Sequence, residues 1–169
     1  MSKRALKKYL SELKKTELED QLMDLYGRFP LVKEYYDFIF NPKEDKMVQE
    51  AKAKIHNEYF PIKRKRPKAR RSVAQKYLKH FVKLGVDPFC IAEVMLYNLE
   101  VAQAFEAGRN VPDAFYKSML NSFNEMVQFV SLNMLLPNFK ERIIKVYETT
   151  QDAEWMYGEG FSRALDILD

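Results

Sequence analysis

Residues 87–108, DPFCIAEVMLYNLEVAQAFEAG, decide the fold. Asp87-Pro88 is a helix start, with a carboxylate to cap the first turn and a proline where a missing N–H costs nothing. Ile91, Val94, Met95, Leu99, Ala102 and Phe105 then recur every three or four residues, the period of an α-helix with one apolar stripe. Gly108 closes the run. Asn98 falls inside the stripe, and a buried amide must find a partner, so a hydrogen bond to a neighbouring helix is expected there.

Working outward, Pro112 and Pro137 begin similar runs, 24 and 25 residues on from the proline before. Each interval holds one long helix and a short turn, which forces antiparallel neighbours. Upstream, Val73, Tyr77, Leu78, Phe81 and Leu84 form a stripe that Gly85 terminates. Met47, Val48, Ala51 and Ile55 mark a helix from about Lys43 to Tyr59, opened by Asn41-Pro42. Before it, Leu31 to Phe40 is short and aromatic, and Leu18, Leu22 and Leu25 stripe a helix with Thr16 as cap and Glu19 completing a capping box. Leu6, Leu10 and Leu13 mark the first helix. The expected fold is all-α: residues 1–169 as a single domain, an array or irregular bundle of about seven to nine mostly antiparallel helices. Its parts are N-terminal helices over 1–59, an exposed basic loop over 60–69, long helices over 70–150, and a tail over 151–169 that Gly158 and Gly160 leave undetermined.

Charge is unevenly spread. Residues 1–60 hold 12 basic and 11 acidic side chains, residues 61–86 hold 10 and none, and residues 87–169 hold 6 and 13. The middle segment opens with PIKRKRPKARR, residues 61–71, where Pro61 and Pro67 oppose a regular helix. Lys76, Lys79 and Lys83 continue the charge along one helix face. Lys63, Arg64, Lys65, Arg66, Lys68, Arg70, Arg71, Lys76, Lys79 and Lys83 are therefore the candidate residues for binding an anionic partner. Such a ridge attracts phosphate backbones by counterion release, and its arginines suit bidentate phosphate contacts. It equally suits an acidic protein, a solvated surface, or pairing with the acidic C-terminal half of the same or a second chain.

Catalytic patterns are missing. His56 and His80 lack zinc-ligand spacing, and His56-Asn57-Glu58 matches only half of a deaminase pattern whose P-C-x-x-C part a chain with the single Cys90 cannot supply. Cys90 reads as a core residue beside an apolar stripe. Glu93 and Glu100, seven apart, read as a solvated acidic face rather than an acid–base pair. A helix-turn-helix reading fails because the would-be recognition helix starts Pro88-Phe89-Cys90-Ile91 and carries acids where phosphate contacts belong. No catalytic, cofactor-binding or metal-ligating residue is assigned, and no cofactor is expected. The N-terminus has no signal-peptide h-region, no apolar run approaches the ~20 residues of a membrane span, and one cysteine excludes an internal disulfide. A cytoplasmic location is expected.

KARRSVAQKYLKHFVKLGVDP (68–88), AEVMLYNLEVAQAF (92–105), AFYKSMLNSF (114–123) and DLYGRFPLVKEYYDFIFNPKED (24–45) together resemble an uncharacterised family of small all-helical bacterial proteins, a domain of unknown function. The resemblance covers nearly the whole chain. It implies a bacterial, cytosolic helical protein and supplies no activity to carry over. The expected function is a non-enzymatic interaction module presenting the basic ridge to an acidic protein partner, with self-association possible. The alternatives are a low-specificity nucleic-acid-binding accessory protein using the same ridge, and an enzyme with an unrecognised site.

Overall fold

The computed structural model describes residues 2–63 and 66–168. Among them are nine α-helices, a closing 3₁₀ turn and no strand, so the fold is all-α. The chain divides into two compact units, Met1–Lys43 and Glu44–Asp169.

The first unit holds α1 (Lys3–Ser11), α2 (Lys15–Arg28) and α3 (Pro30–Phe40). Ser2 caps α1, its hydroxyl oxygen accepting from the Ala5 amide at 3.2 Å. The expected Thr16 cap is displaced: α2 starts at Lys15, and the Glu17 carboxylate accepts from the Lys14 amide at 2.7 Å. A carboxylate at the third helical position reaches back to an unpaired first-turn donor, and Glu17 does so in place of Glu19, two residues later. The α2 and α3 helices pack as a hairpin, tied by the Tyr26 hydroxyl donating to Asp37 at 2.8 Å. Gln21 of α2 donates to the Tyr9 oxygen of α1 at 2.7 Å. No residue of these three helices is buried.

The second unit holds α4 (Glu44–Tyr59), α5 (Arg71–Leu84), α6 (Pro88–Glu106), α7 (Asp113–Leu132), α8 (Leu136–Asp152) and α9 (Gly158–Leu165). The α4 helix, which the sequence pattern grouped with the N-terminal helices, packs here instead, and Asn41 ends α3 rather than opening α4. At the centre lies α6, with α4, α5, α7 and α8 all packed against it. It is buried well beyond its predicted stripe: Ala92, Leu96 and Val101 join the stripe residues in the core. A helix that is apolar most of the way round is one with neighbours on most sides. Asp87 caps it, accepting from the Phe89 amide at 2.7 Å. Ahead of it Gly85 sits at φ +83°, where its amide bonds the Phe81 carbonyl at 3.0 Å and a side chain would be strained.

Asn98 has the expected partner on a neighbouring helix: the Tyr59 hydroxyl of α4 donates to its Oδ1 at 3.3 Å. Burial, and then the charge of Glu58, push the Tyr59 pKa up to about 12, so it remains a donor. The tail is docked. Its Trp155 and Phe161 are buried, with ring centroids 5.9 Å from Phe115 and 5.2 Å from Phe123 respectively.

The core position of α6 gives a direct contrast. Leu96→Ala, at a site with 0% exposure, is expected to cost about 2–5 kcal/mol in urea denaturation, because the cavity adds to the lost transfer energy. Val82→Ala, on the outer face of α5, is expected to change stability by about 0.5 kcal/mol or less.

Candidate functional site

The connection between α4 and α5 carries the basic stretch, and its described residues, 60–63 and 66–70, are non-helical. Its course is fixed by Glu58, in the last turn of α4 and only 7% exposed. The Glu58 carbonyl accepts from the amides of Lys68 and Ala69, both at 3.0 Å. Its carboxylate accepts from Arg70 Nε at 2.9 Å and from a terminal guanidinium nitrogen at 3.2 Å. That hydrogen bond, followed by the Glu58 charge, raises the Arg70 pKa and secures its charged form. Ala69 turns through a left-handed backbone, φ +46°, to bring Arg70 into place.

Arg71 is also engaged. Its Nε donates to Ser122 Oγ at 2.8 Å, and a terminal nitrogen lies 2.6 Å from Glu125 Oε1 on α7. That nitrogen has no hydrogen-bond partner of proper direction, so its contact with Glu125 is an ion pair by proximity. Gln75 holds the other Glu125 oxygen at 2.8 Å. Arg70 and Arg71, two of the ten candidate residues, are therefore paired with anions of the same chain. A buried carboxylate such as Glu58 is costly unless a cation meets it, and Arg70 supplies that cation.

The other candidates stand apart from these clasps. Lys63, Arg66 and Lys68 are exposed in the connection, and Lys76, Lys79 and Lys83 are exposed along one face of α5. None of these six makes an ion pair among the described residues. Arg64 and Lys65 lie outside the described residues. Beside the α5 lysines an open groove of about 420 Å³ runs between α5, α6 and α7. It is lined by Leu78, Val82, Ile91, Met95 and Phe129, with Lys79, Lys83, Gln75 and Glu125 as its polar members. The ridge was read from charge alone, and this apolar lining was missed. The signal was Val82, an apolar residue between Lys79 and Lys83 on the outward side of the helix.

Glu93 and Glu100 are not a solvated acidic face. Arg142 of α8 hydrogen-bonds Glu93 and holds both oxygens of Glu100 at 3.0 Å, while Lys52 of α4 reaches Glu93 at 2.6 Å. Lys52 also sits 5.0 Å above the Tyr97 ring. These pairs join α4, α6 and α8. Burial alone would raise the Glu93 pKa, but Arg142 and Lys52 outweigh it and hold the group below the usual carboxylate range. Cys90 is half-buried, its Sγ 4.0 Å from Glu44 Oε2, and burial followed by the surrounding acids pushes its thiol pKa up. A thiol so placed stays protonated and a poor nucleophile. His56 is exposed beside the Phe60 ring, 5.1 Å away. Among the described residues no group of three or more His, Cys, Asp or Glu is placed to hold a metal ion. No described helix is long and apolar enough to cross a membrane.

A family of unknown function (DUF6155) matches residues 1–169. The chain belongs to this family. No curated protein and no solved structure matches it. Membership in DUF6155 spans both units, so the N-terminal helices and the groove-bearing body belong to one family description.

The Glu93 ion pairs set a pH dependence. With its folded pKa depressed, Glu93 contributes stability that is present above the unfolded value of about 4.3 and is lost as pH falls through the folded pKa. Urea midpoints taken from pH 6 down to pH 3 are expected to fall less steeply for Glu93→Gln than for the unaltered protein, and equal slopes would remove Glu93 from the account.

Proposed function

We propose that the protein is a non-catalytic, cytosolic interaction module that takes up an acidic amphipathic segment of a protein partner on α5. The apolar side of that segment lies on Leu78, Val82 and Met95, and its carboxylates meet Lys79 and Lys83, with Lys76 extending the positive strip. This is the helix-in-groove mode of recognition, in which apolar anchors give affinity and charge sets orientation.

One observation carries the reading: an apolar groove whose lysines are without internal partners lies beside two arginines that are already paired. It also favours a protein over nucleic acid. Phosphate recognition draws on guanidinium forks, and those of Arg70 and Arg71 face Glu58, Ser122 and Glu125. What supports the non-catalytic part is that the thiol of Cys90 is held protonated and the carboxylates of Glu93 and Glu100 are committed to ion pairs. A single unpaired cysteine suits the reducing cytosol.

Fluorescence anisotropy tests this with two probes at low salt: a labelled amphipathic peptide with leucines on one face and glutamates on the other, and a labelled single-stranded oligonucleotide. The peptide is expected to bind, and Lys79→Glu/Lys83→Glu or Val82→Asp to weaken it about tenfold or more. Failure of the peptide to bind would overturn the proposal. So would oligonucleotide binding that collapses between about 50 and 200 mM salt while the peptide is ignored, which would move the function to nucleic acid.

A further inference from the structure

We infer that the α5 groove continues past Phe129 onto a second apolar subsite, built from Leu132 and Met134 at the C-terminus of α7, which takes a terminal anchor of the same acidic segment. The inference rests on the proposed function and adds a second anchor at a defined spacing. Glu125 and Phe129 line the groove on its α7 side. Leu132 lies three residues past Phe129 and seven past Glu125, the spacing that keeps side chains on one helical face. It is 82% exposed. Across the groove, Gln75 of α5 donates to Glu125 at 2.8 Å. The α5 and α7 helices each join α6 through a short connection, residues 85–87 and 107–112, so both run against α6 and in the same direction as each other. Val82 and Leu132 are each seven residues beyond the Gln75–Glu125 bond, and at an equal rise per residue they stand at the same level.

The turn that ends α7 carries a second mark of this subsite. The Leu135 amide bonds the Val130 carbonyl at 2.9 Å and the Met134 amide bonds the Ser131 carbonyl at 3.1 Å, the paired bonds of a Schellman turn. Its left-handed position usually holds glycine, as Gly85 does at the end of α5. Here it holds Met134, at φ +57° and with its side chain 86% exposed. One residue therefore bears both backbone strain and an apolar side chain in water, where glycine would remove both. Nothing in the fold uses that side chain, and methionine is the apolar residue that adapts best to a docked one. Charge selects the occupant. Lys83, next to Val82, and Lys79 one turn before it make no ion pair among the described residues. They call for carboxylates along the α5 edge of the docked segment. That segment is a helix of a partner protein with apolar residues at i, i+4 and i+7, a span of about 10 Å that equals the rise from Glu125 to Leu132.

Fluorescence anisotropy with three labelled helical peptides of about 15 residues tests it on the full chain. The first carries leucines at i, i+4 and i+7 with glutamates beside them, and in the other two the first or the last leucine is alanine. The unaltered protein is expected to bind the three-leucine peptide and to lose about tenfold for one of the two terminal replacements. Leu132→Ser/Met134→Ser is expected to bind the three-leucine peptide about tenfold more weakly and to lose nothing further from that same replacement, the coupling a double-mutant cycle reads. Met134→Gly is expected to raise the urea midpoint and yet weaken the three-leucine peptide, a combination that a purely structural role does not produce. Equal binding of all three peptides overturns this inference and leaves the groove reading standing. So does a terminal replacement that costs the same in both proteins, or a Met134→Gly protein that binds as tightly as the unaltered one. Failure of every peptide to bind overturns the groove reading and this inference with it.

Discussion

The carboxylate of Glu58 is the constraint on which the arrangement around the basic stretch depends. It lies in the last turn of α4, on the same side as Ile55 and Tyr59, and it is almost wholly removed from water. An ionised carboxylate in such a place costs several kcal/mol unless cations and N–H groups surround it. The next residues in the chain supply both. The amides of Lys68 and Ala69 fold onto its carbonyl, and the Arg70 guanidinium onto its carboxylate. Once Arg70 is anchored, α5 must begin at Arg71, which reaches Ser122 and Glu125 on α7. The register of α5 follows, with Leu78 and Phe81 inward and Lys76, Lys79 and Lys83 outward. The left-handed turn at Ala69 is a local strain of the kind that persists only when its surroundings over-determine it, and the three contacts at Glu58 do so.

Charge therefore acts in two separate ways along one short segment. The arginines nearest the helix start are structural, and the lysines farther along are available. On the opposite side of α6 charge is likewise structural, where Lys52, Glu93, Arg142 and Glu100 tie three helices together. The acidic excess of the C-terminal half is partly spent in this way. What remains outside these clasps is a lysine strip beside an apolar groove, the surface on which the proposed function rests.

Much of the fold was legible in the sequence because its signals are local. Asp87-Pro88, Pro112, Pro137 and Gly85 mark helix ends through backbone chemistry that no tertiary contact alters. The stripe of Ile91, Val94 and Leu99 is likewise local, whereas the burial of Ala92, Leu96 and Val101 beside it was not read from the sequence. Long-range pairing was not legible. Arg142 lies 42 residues from Glu100 and 49 from Glu93, and only the adjacency of α6 and α8 brings them together. Gly158 and Gly160 masked α9, whose place is settled by Phe161 entering the core. Glu58 was readable in principle: a carboxylate three residues after Ile55, on an apolar stripe and just before a run of cations, is a residue that needs a partner. It was passed over as half of a deaminase pattern. Of the ten candidate ligand-binding residues, Arg70 and Arg71 have partners within the chain, which charge density alone does not reveal.

The central claim is that the arginines at the start of α5 build the fold while its lysines do not. Urea denaturation of Arg70→Gln/Arg71→Gln beside Lys76→Gln/Lys79→Gln/Lys83→Gln tests it most directly, since each set removes positive charge from one helix. The account predicts a clear loss of stability for the arginine pair and a midpoint within error of the unaltered protein for the lysine set. An arginine pair as stable as the unaltered protein, or a lysine set that loses as much, would contradict it.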